Sequence, residues 1–210
     1  MPTTDVIDTL VGIEPGDRLD QLRARRPEAR QHAQGSYDAL FRPTDDSDVS
    51  LVERAVVAAF VARVHGESAV SDFYAAELDR QTADAEAAGS LIAALVAAEG
   101  ARAAAPGPYG AFHGDIAGES TTGPEYVADA ALKDQLGGRL SAALEHAHLL
   151  VFHPRDSARE HLGRLLAAGW STTGIVTLSQ LVSFLTFQIR VVHGLRVLNA
   201  GLAAEEGTAR

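Results

Sequence analysis

Cysteine does not occur in this 210-residue chain. Its absence excludes disulfides, thiolate metal ligands and every reaction that begins with a thiolate. Lysine is almost absent as well: Lys133 stands alone, and 18 Lys and Arg face 28 Asp and Glu, for a net charge of −10. Nucleic acid and anionic membranes are held by clustered cations, so neither is an expected partner. No stretch alternates apolar and polar residues as a half-buried strand does, which leaves an all-α fold as the expectation. A secretory signal is missing too. The opening MPTTDVIDTL has neither a basic start nor an apolar core, and a cytoplasmic protein is expected. No Gly-rich phosphate loop and no nucleophile elbow occurs, and nothing in the sequence asks for a cofactor.

Apolar residues make up 46% of the chain, enough for a globular domain and against disorder. The longest apolar stretch is GWSTTGIVTLSQLVSFLTFQIRVVHGLRVLN, residues 170–199. Ser171 and Thr172 are good N-cap residues, and apolar side chains cover most of the circumference that follows. Such a helix is expected to be buried on several sides, through the middle of the fold. Ser, Gln, Thr and Arg interrupt it, so it is not expected to span a membrane. Ser179, Ser183, Thr186, Arg190 and His193 recur at steps of four and three and share one face.

One domain is expected, in four segments. Residues 1–42 read as a helical arm, with Pro27 at a helix start and Ala33, Tyr37, Leu40 and Phe41 on one stripe. Residues 43–99 hold two or three helices. Ser50 and Glu53 fit a capping box, and His65-Gly66 closes the helix they open. Residues 100–124, rich in Gly and Pro, form a long loop, which suits a lid, an arm across a neighbouring subunit, or disorder. Residues 125–210 form a second helical half in which the pattern resumes from Tyr126, Pro154 breaks it, and Ser157 with Glu160 offers another capping box. Arg63-Val64-His65-Gly66 and Arg190-Val191-Val192-His193-Gly194 end their helices alike, a weak hint of duplicated halves.

Two passages resemble the carboxymuconolactone decarboxylase/alkylhydroperoxidase D-like superfamily. SLVERAVVAAFVARVHGESAVSDFYAAEL is similar to its core motif, a helix, an Asn-Gly-like corner and a second helix. LLAAGWSTTGIVTLSQLVSFLTFQIRVVHGLRVL, preceded by HPRDSAREHLGRLL, is similar to the carboxy-terminal segment of its peroxidase-related branch, with Phe184, Phe187, Arg190, Gly194, Leu195 and Val197 on the pattern. The resemblance covers roughly residues 37–200 and implies an alkylhydroperoxidase D-like helical fold, a homo-oligomer (trimer or hexamer) and, in redox members, a Cys-x-x-Cys-x-x-x-His site with an upstream Glu. That site does not carry over. Aligned on His65-Gly66, Glu67 and Val70 stand at the cysteines, Tyr74 at the histidine and Ala55 at the glutamate; aligned on Glu53, His65 and Ser68 stand at the cysteines and Asp72 at the histidine. Either way the nucleophile is gone, and thiol peroxidase activity with it.

Three groups of residues remain as candidates. At the helix junction, His65 and Glu67, with Asp72, Tyr74 and Glu53 nearby in sequence, suit proton transfer, or else cap helix ends in solvent. Arg190 and His193 suit a clamp that holds and protonates a small carboxylate or carbonyl compound, or else Arg190 pairs with a carboxylate such as Glu53 or Asp72. In EHAHLLVFH, His146 and His153 share a helix face while His148 points about 200° from His146, so the three cannot converge on a metal. Tyr109, Phe112 and His113 in the long loop suit a cover over a pocket or a reach into a neighbour. Two functions are expected on these grounds: thiol-free acid–base chemistry on a small molecule, or a catalytically silent, oligomeric scaffold or ligand-binding subunit beside a cysteine-bearing relative. A core filled by Phe60, Phe73 and Tyr74 favours the second.

Overall fold

A short helix opens the described chain because Asp5 caps it, its carboxylate accepting the Asp8 N–H at 2.9 Å. The structure, a computed structural model, describes residues 5–208, and side chains as far as residue 201; the first four residues of the expected helical arm, and residues 209–210 of the second half, lie outside these. The described residues form nine α-helices with short 3-10 turns between some of them and no strand, only an isolated bridge between Gly110 and Thr121. They fall into two compact units, residues 44–185 and residues 5–43 with 186–208.

In the larger unit, α4 (Leu51–His65) begins at the expected capping box, Ser50 Oγ accepting the Glu53 N–H at 3.2 Å and Glu53 accepting the Ser50 N–H at 2.9 Å. Ten of its fifteen residues are buried. Its Ala and Val side chains are short enough to let α5 (Ser68–Gln81), α6 (Glu86–Ala103) and α7 (Ala130–Phe152) pack around it, and Phe60 fills the remaining space. Where α6 crosses α4 the chain needs Gly100, since a Cβ there would lie 2.7 Å from Arg63 Cβ. Gly66 ends α4 in the left-handed conformation, φ 73°.

The region from Ala104 to Asp129 contains no α-helix, though it is tied down. Gly110 and Thr121 exchange both backbone hydrogen bonds at 3.1 Å, the Tyr109 N–H donates to the Phe152 carbonyl at 2.6 Å, and the Ala111 N–H donates to Asp156 at 2.9 Å. The long loop is therefore folded onto the end of α7. The helical pattern read from Tyr126 starts later than expected: Asp129 is the N-cap of α7, and Tyr126 to Ala128 lie outside any helix. A short polar side chain at that point captures the Leu132 N–H at 2.8 Å and sets the start.

The second capping box is also revised. In α8 (Arg159–Ala167) the N-cap is Ala158, and the side chain that reaches back is His161, whose Nδ1 accepts the Ala158 N–H at 3.0 Å. In α9 (Thr172–Thr208) Ser171 caps as predicted, accepting the Gly174 N–H at 2.9 Å. This helix runs through Gly194, so the matching helix ends read at His65-Gly66 and His193-Gly194 have no common backbone form. Leu195 to Leu198 sustain a helix, whereas Glu67 caps the next one.

The expectation that α9 is buried on several sides also fails. Val176, Phe187 and Val197 are 52%, 50% and 60% exposed, and α4 is the buried centre of the larger unit. By length and composition Thr172–Gly201, mean hydropathy 1.6, is able to cross a membrane, because its Ser and Thr lower hydropathy too little to prevent it; half of that apolar window is buried within the protein.

In the smaller unit, α1 (Val6–Val11), α2 (Arg18–Ala24) and α3 (Pro27–Phe41) replace the single arm. Gly12 at φ 80° and Gly16 at φ 93° break the chain between α1 and α2. Ala33, Tyr37, Leu40 and Phe41 form the buried face of α3, as their spacing predicts. Asp5, Asp8 and Asp20 pair with Arg23 and Arg30, which ties α1 and α2 to α3.

Candidate functional site

The sequence EHAHLLVFHP closes α7 with three histidines, and the structure buries all three: His146, His148 and His153 are 4%, 2% and 8% exposed. They line one cavity of about 320 Å³ in the larger unit, together with Glu125, Tyr126, Glu145, Asp156, His161 and Arg164. Two histidines almost opposite on a helical wheel reach the same space because it wraps the helix. Tyr126 faces His148 at 5.6 Å between rings, and His161 lies on the His146 side, close enough to disfavour a second positive charge on that ring.

Each histidine is held differently. His146 Nε2 lies 3.1 Å from Ser179 Oγ on α9, while its Nδ1 is buried with no hydrogen-bond partner. Burial, reinforced by His161, holds its pKa down at about 4, so the ring is neutral at pH 7. His148 packs against Phe152 at 4.8 Å, and burial lowers its pKa to about 4 despite a hydrogen bond to the Ala103 backbone that favours the charged form. His153 places both ring nitrogens against oxygens, Nε2 3.0 Å from the Pro124 carbonyl and Nδ1 3.3 Å from Asp156. Asp156 is held below the usual carboxylate range, first by the Ala111 N–H and then by His153.

The cavity's other wall is the irregular segment 125–127. Tyr126 OH donates to Glu99 at 2.7 Å, Arg102 lies over the Tyr126 ring at 4.8 Å, and the Ala128 N–H donates to Glu145 Oε1 at 3.1 Å. Burial raises the Tyr126 pKa, and Glu99 raises it further, so the phenol stays a donor. Arg102 in turn keeps Glu99 ionised by lowering its pKa. No group of three His, Asp or Glu side chains among the described residues is placed to hold a metal ion.

The residues singled out in the sequence lie elsewhere. His65 is half-buried and its Nδ1 donates back to the Val61 carbonyl at 2.8 Å, while Glu67 is the N-cap of α5. The two share the α4–α5 corner, and neither lines the histidine cavity. Beneath that corner Val70 and Tyr74, which stand at a cysteine and the histidine of the superfamily motif in one alignment, are 0% exposed, and so is Phe60. Phe73 is half-buried, edge-on to Tyr74 at 5.1 Å.

Arg190 and His193 are exposed on the part of α9 that belongs to the smaller unit, so Arg190 is not set in a buried cleft. The hydroxyls of Ser179 and Ser183 bond back to the Ile175 and Ser179 carbonyls at 2.8 Å. Glu53 pairs with Arg139 at 2.6 Å. In the long loop Tyr109 covers His153 at 5.3 Å, Phe112 lies beneath Arg155, and His113 is exposed.

Sequence reasoning found the three histidines and missed their surroundings. His161 was hidden by the Ser157–Glu160 capping pattern, and Glu145, Arg164 and Tyr126 carry no local signal, since only the return of the chain brings them together. Comparison with known proteins adds no assignment: no family model matches the chain, and neither a curated protein nor a solved structure does.

Proposed function

We propose that the chain binds a small carbonyl compound or carboxylate in the histidine cavity and carries out thiol-free proton transfer on it. The observation that carries this reading is the cavity of about 320 Å³ itself, whose lining brings His146, held neutral by burial, together with His161, Glu145 and Arg164. A cavity lined by a few convergent polar groups, one of them with a strongly shifted pKa, is a place for a ligand.

In this reading Glu145 is the base. Its Oε1 is fixed by the Ala128 N–H, and Oε2 makes no hydrogen bond to any described residue. It takes a proton from the carbon beside the carbonyl, and the electron pair of that C–H bond moves onto the carbonyl oxygen. His161 and Arg164 stabilise the oxyanion, and the proton returns to carbon. The test is deuterium exchange into cyclohexanone in heavy water, followed by proton NMR. Exchange above the buffer rate is expected, and Glu145→Gln is expected to slow it by roughly 10²–10⁴-fold. No exchange, with or without binding, sinks the catalytic part.

The wider proposal is a cysteine-free relative of the carboxymuconolactone decarboxylase/alkylhydroperoxidase D-like superfamily, cytoplasmic and assembled as a trimer or hexamer. It is supported by the α4–α5 helix pair around left-handed Gly66 and by the long α9. The alternative of a catalytically silent binding subunit is favoured by one observation. Tyr74 and Val70 fill the space where a redox site would stand. Ligand binding without exchange would establish it.

A further inference from the structure

The smaller unit holds a recess of its own, built from residues that the histidine cavity does not use. Phe187, Val191 and Leu195 stand at steps of four on α9, so they form one stripe, about 12 Å long at about 1.5 Å per residue. Ile7 of α1, Leu22 of α2 and Ala33 of α3 line the same groove, whose volume is about 550 Å³. Small-molecule sites occupy about 300–1,000 Å³ and are mostly apolar, with a few polar groups at fixed places. Phe187 and Leu22 are 50% and 39% exposed, so the apolar wall reaches the mouth.

The charged side chains in that lining are all arginines: Arg23, Arg25, Arg26 and Arg30. Two of them are spent. Arg23 and Arg30 are held by Asp5, Asp8 and Asp20. Asp5 and Asp8 open onto a separate cleft beside Gln31 and Gln34, and among the described residues no carboxylate lines the groove. Arg25 ends α2 and Arg26 precedes α3; both are exposed, and neither side chain forms a hydrogen bond or ion pair with any described residue. Carboxylates outnumber Lys and Arg 28 to 18 in this chain, so two adjacent guanidiniums without one, at the edge of an apolar groove, are a local reversal of its charge. A guanidinium presents paired donors that match the two oxygens of a carboxylate.

We infer that this groove binds a free medium-chain fatty-acid anion, its tail along Phe187, Val191 and Leu195 and its carboxylate on Arg25 and Arg26. The net charge of −10 disfavours the same head group on an anionic bilayer, which repels the chain as a whole. A second copy seated over the inner face of Phe187 would close the groove, so the bound ligand and the assembled state must use different faces of that ring.

The experiment is a calorimetric titration of the full chain at neutral pH with decanoate, decanol and butyrate, each below the concentration at which it aggregates, with methyl NMR and sedimentation on the same samples. Decanoate is expected to bind one to one and at least about tenfold tighter than decanol or butyrate. Methyl resonances of Val191 and Leu195 are expected to move, and those of Leu149 in the histidine cavity to stay. Arg25→Gln and Arg26→Gln together are expected to bring decanoate down to the level of decanol and to leave decanol unchanged. No binding of decanoate, equal binding of decanol, or a double variant that binds decanoate as before overturns the inference, as does a shift at Leu149 in place of Val191. A fall in sedimenting mass on adding decanoate makes the groove a contact between copies, and binding to phosphatidylglycerol vesicles without binding of free decanoate makes it a membrane face; each overturns the inference too. The methyl shifts of the unaltered protein decide where the ligand sits without any variant, and proton exchange in the histidine cavity stands or falls separately.

Discussion

His146 and His148 are buried neutral rings, and each ties the stability of the chain to pH. Their pKa values are lowered in the folded protein to about 4, from 6.5 in an unfolded chain. Between those values the unfolded state binds more protons, so stability is full above pH 6.5 and is lost as the pH falls toward 4. By pH 5 each ring has cost on the order of 2 kcal/mol. Urea unfolding at pH 7 and pH 5 is expected to show that drop, and His148→Phe to remove about half of it. An unchanged slope in the variant would mean that His148 is charged or solvated. Of these residues only the histidines were legible from the sequence. A helical wheel sets His146 and His148 apart, and only the tertiary path of residues 125–128 on one side and His161 on the other gives them a common cavity.

Elements are joined by a few side chains that collect several backbone ends. Arg139 on α7 donates to Glu53 at 2.6 Å, to the Gly169 carbonyl at 2.6 Å and to the Asp48 carbonyl at 2.8 Å, and stacks on Trp170 at 3.8 Å. Trp170 returns a hydrogen bond to the Arg139 carbonyl at 3.0 Å. Arg139→Ala is expected to cost about 3 kcal/mol in urea unfolding, and Arg139→Lys most of that, because an ammonium cannot reach three acceptors in one plane. Ser50→Ala removes the α4 cap and is expected to cost about 1 kcal/mol by the same measurement. Tyr126→Phe loses the bond to Glu99, and faster amide hydrogen exchange is expected at residues 125–128, with little change in α4. The start of α4 could be read directly because Ser50 and Glu53 are four adjacent residues' worth of local chemistry. Arg139 could not, since its partners come from two distant stretches of the chain, residues 48–53 and 169–170.

For the whole molecule, the all-α class followed from the absence of strand alternation, and the division into two units did not, because residues 186–208 continue the same helix that begins in the larger one. The half-exposed Phe187 and the exposed Val197 on α9 are the apolar surface that a homo-oligomer would cover. Sedimentation at micromolar concentration is expected to give three or six times 22.1 kDa, and Phe187→Asp to shift it toward the single chain. A single-chain mass for the unaltered protein would remove assembly from the proposal. The 3-10 turn at Gly114–Glu119 is exposed throughout and lies in the loop that the Gly110–Thr121 bridge closes, while Tyr109 and Ala111, on either side of Gly110, are fastened to Phe152 at the end of α7 and to Asp156 just after it. A fluorophore or peptide tag inserted there would be carried on a closed ring whose base is anchored next to His153, making the turn a handle for reporting on the cavity without entering it.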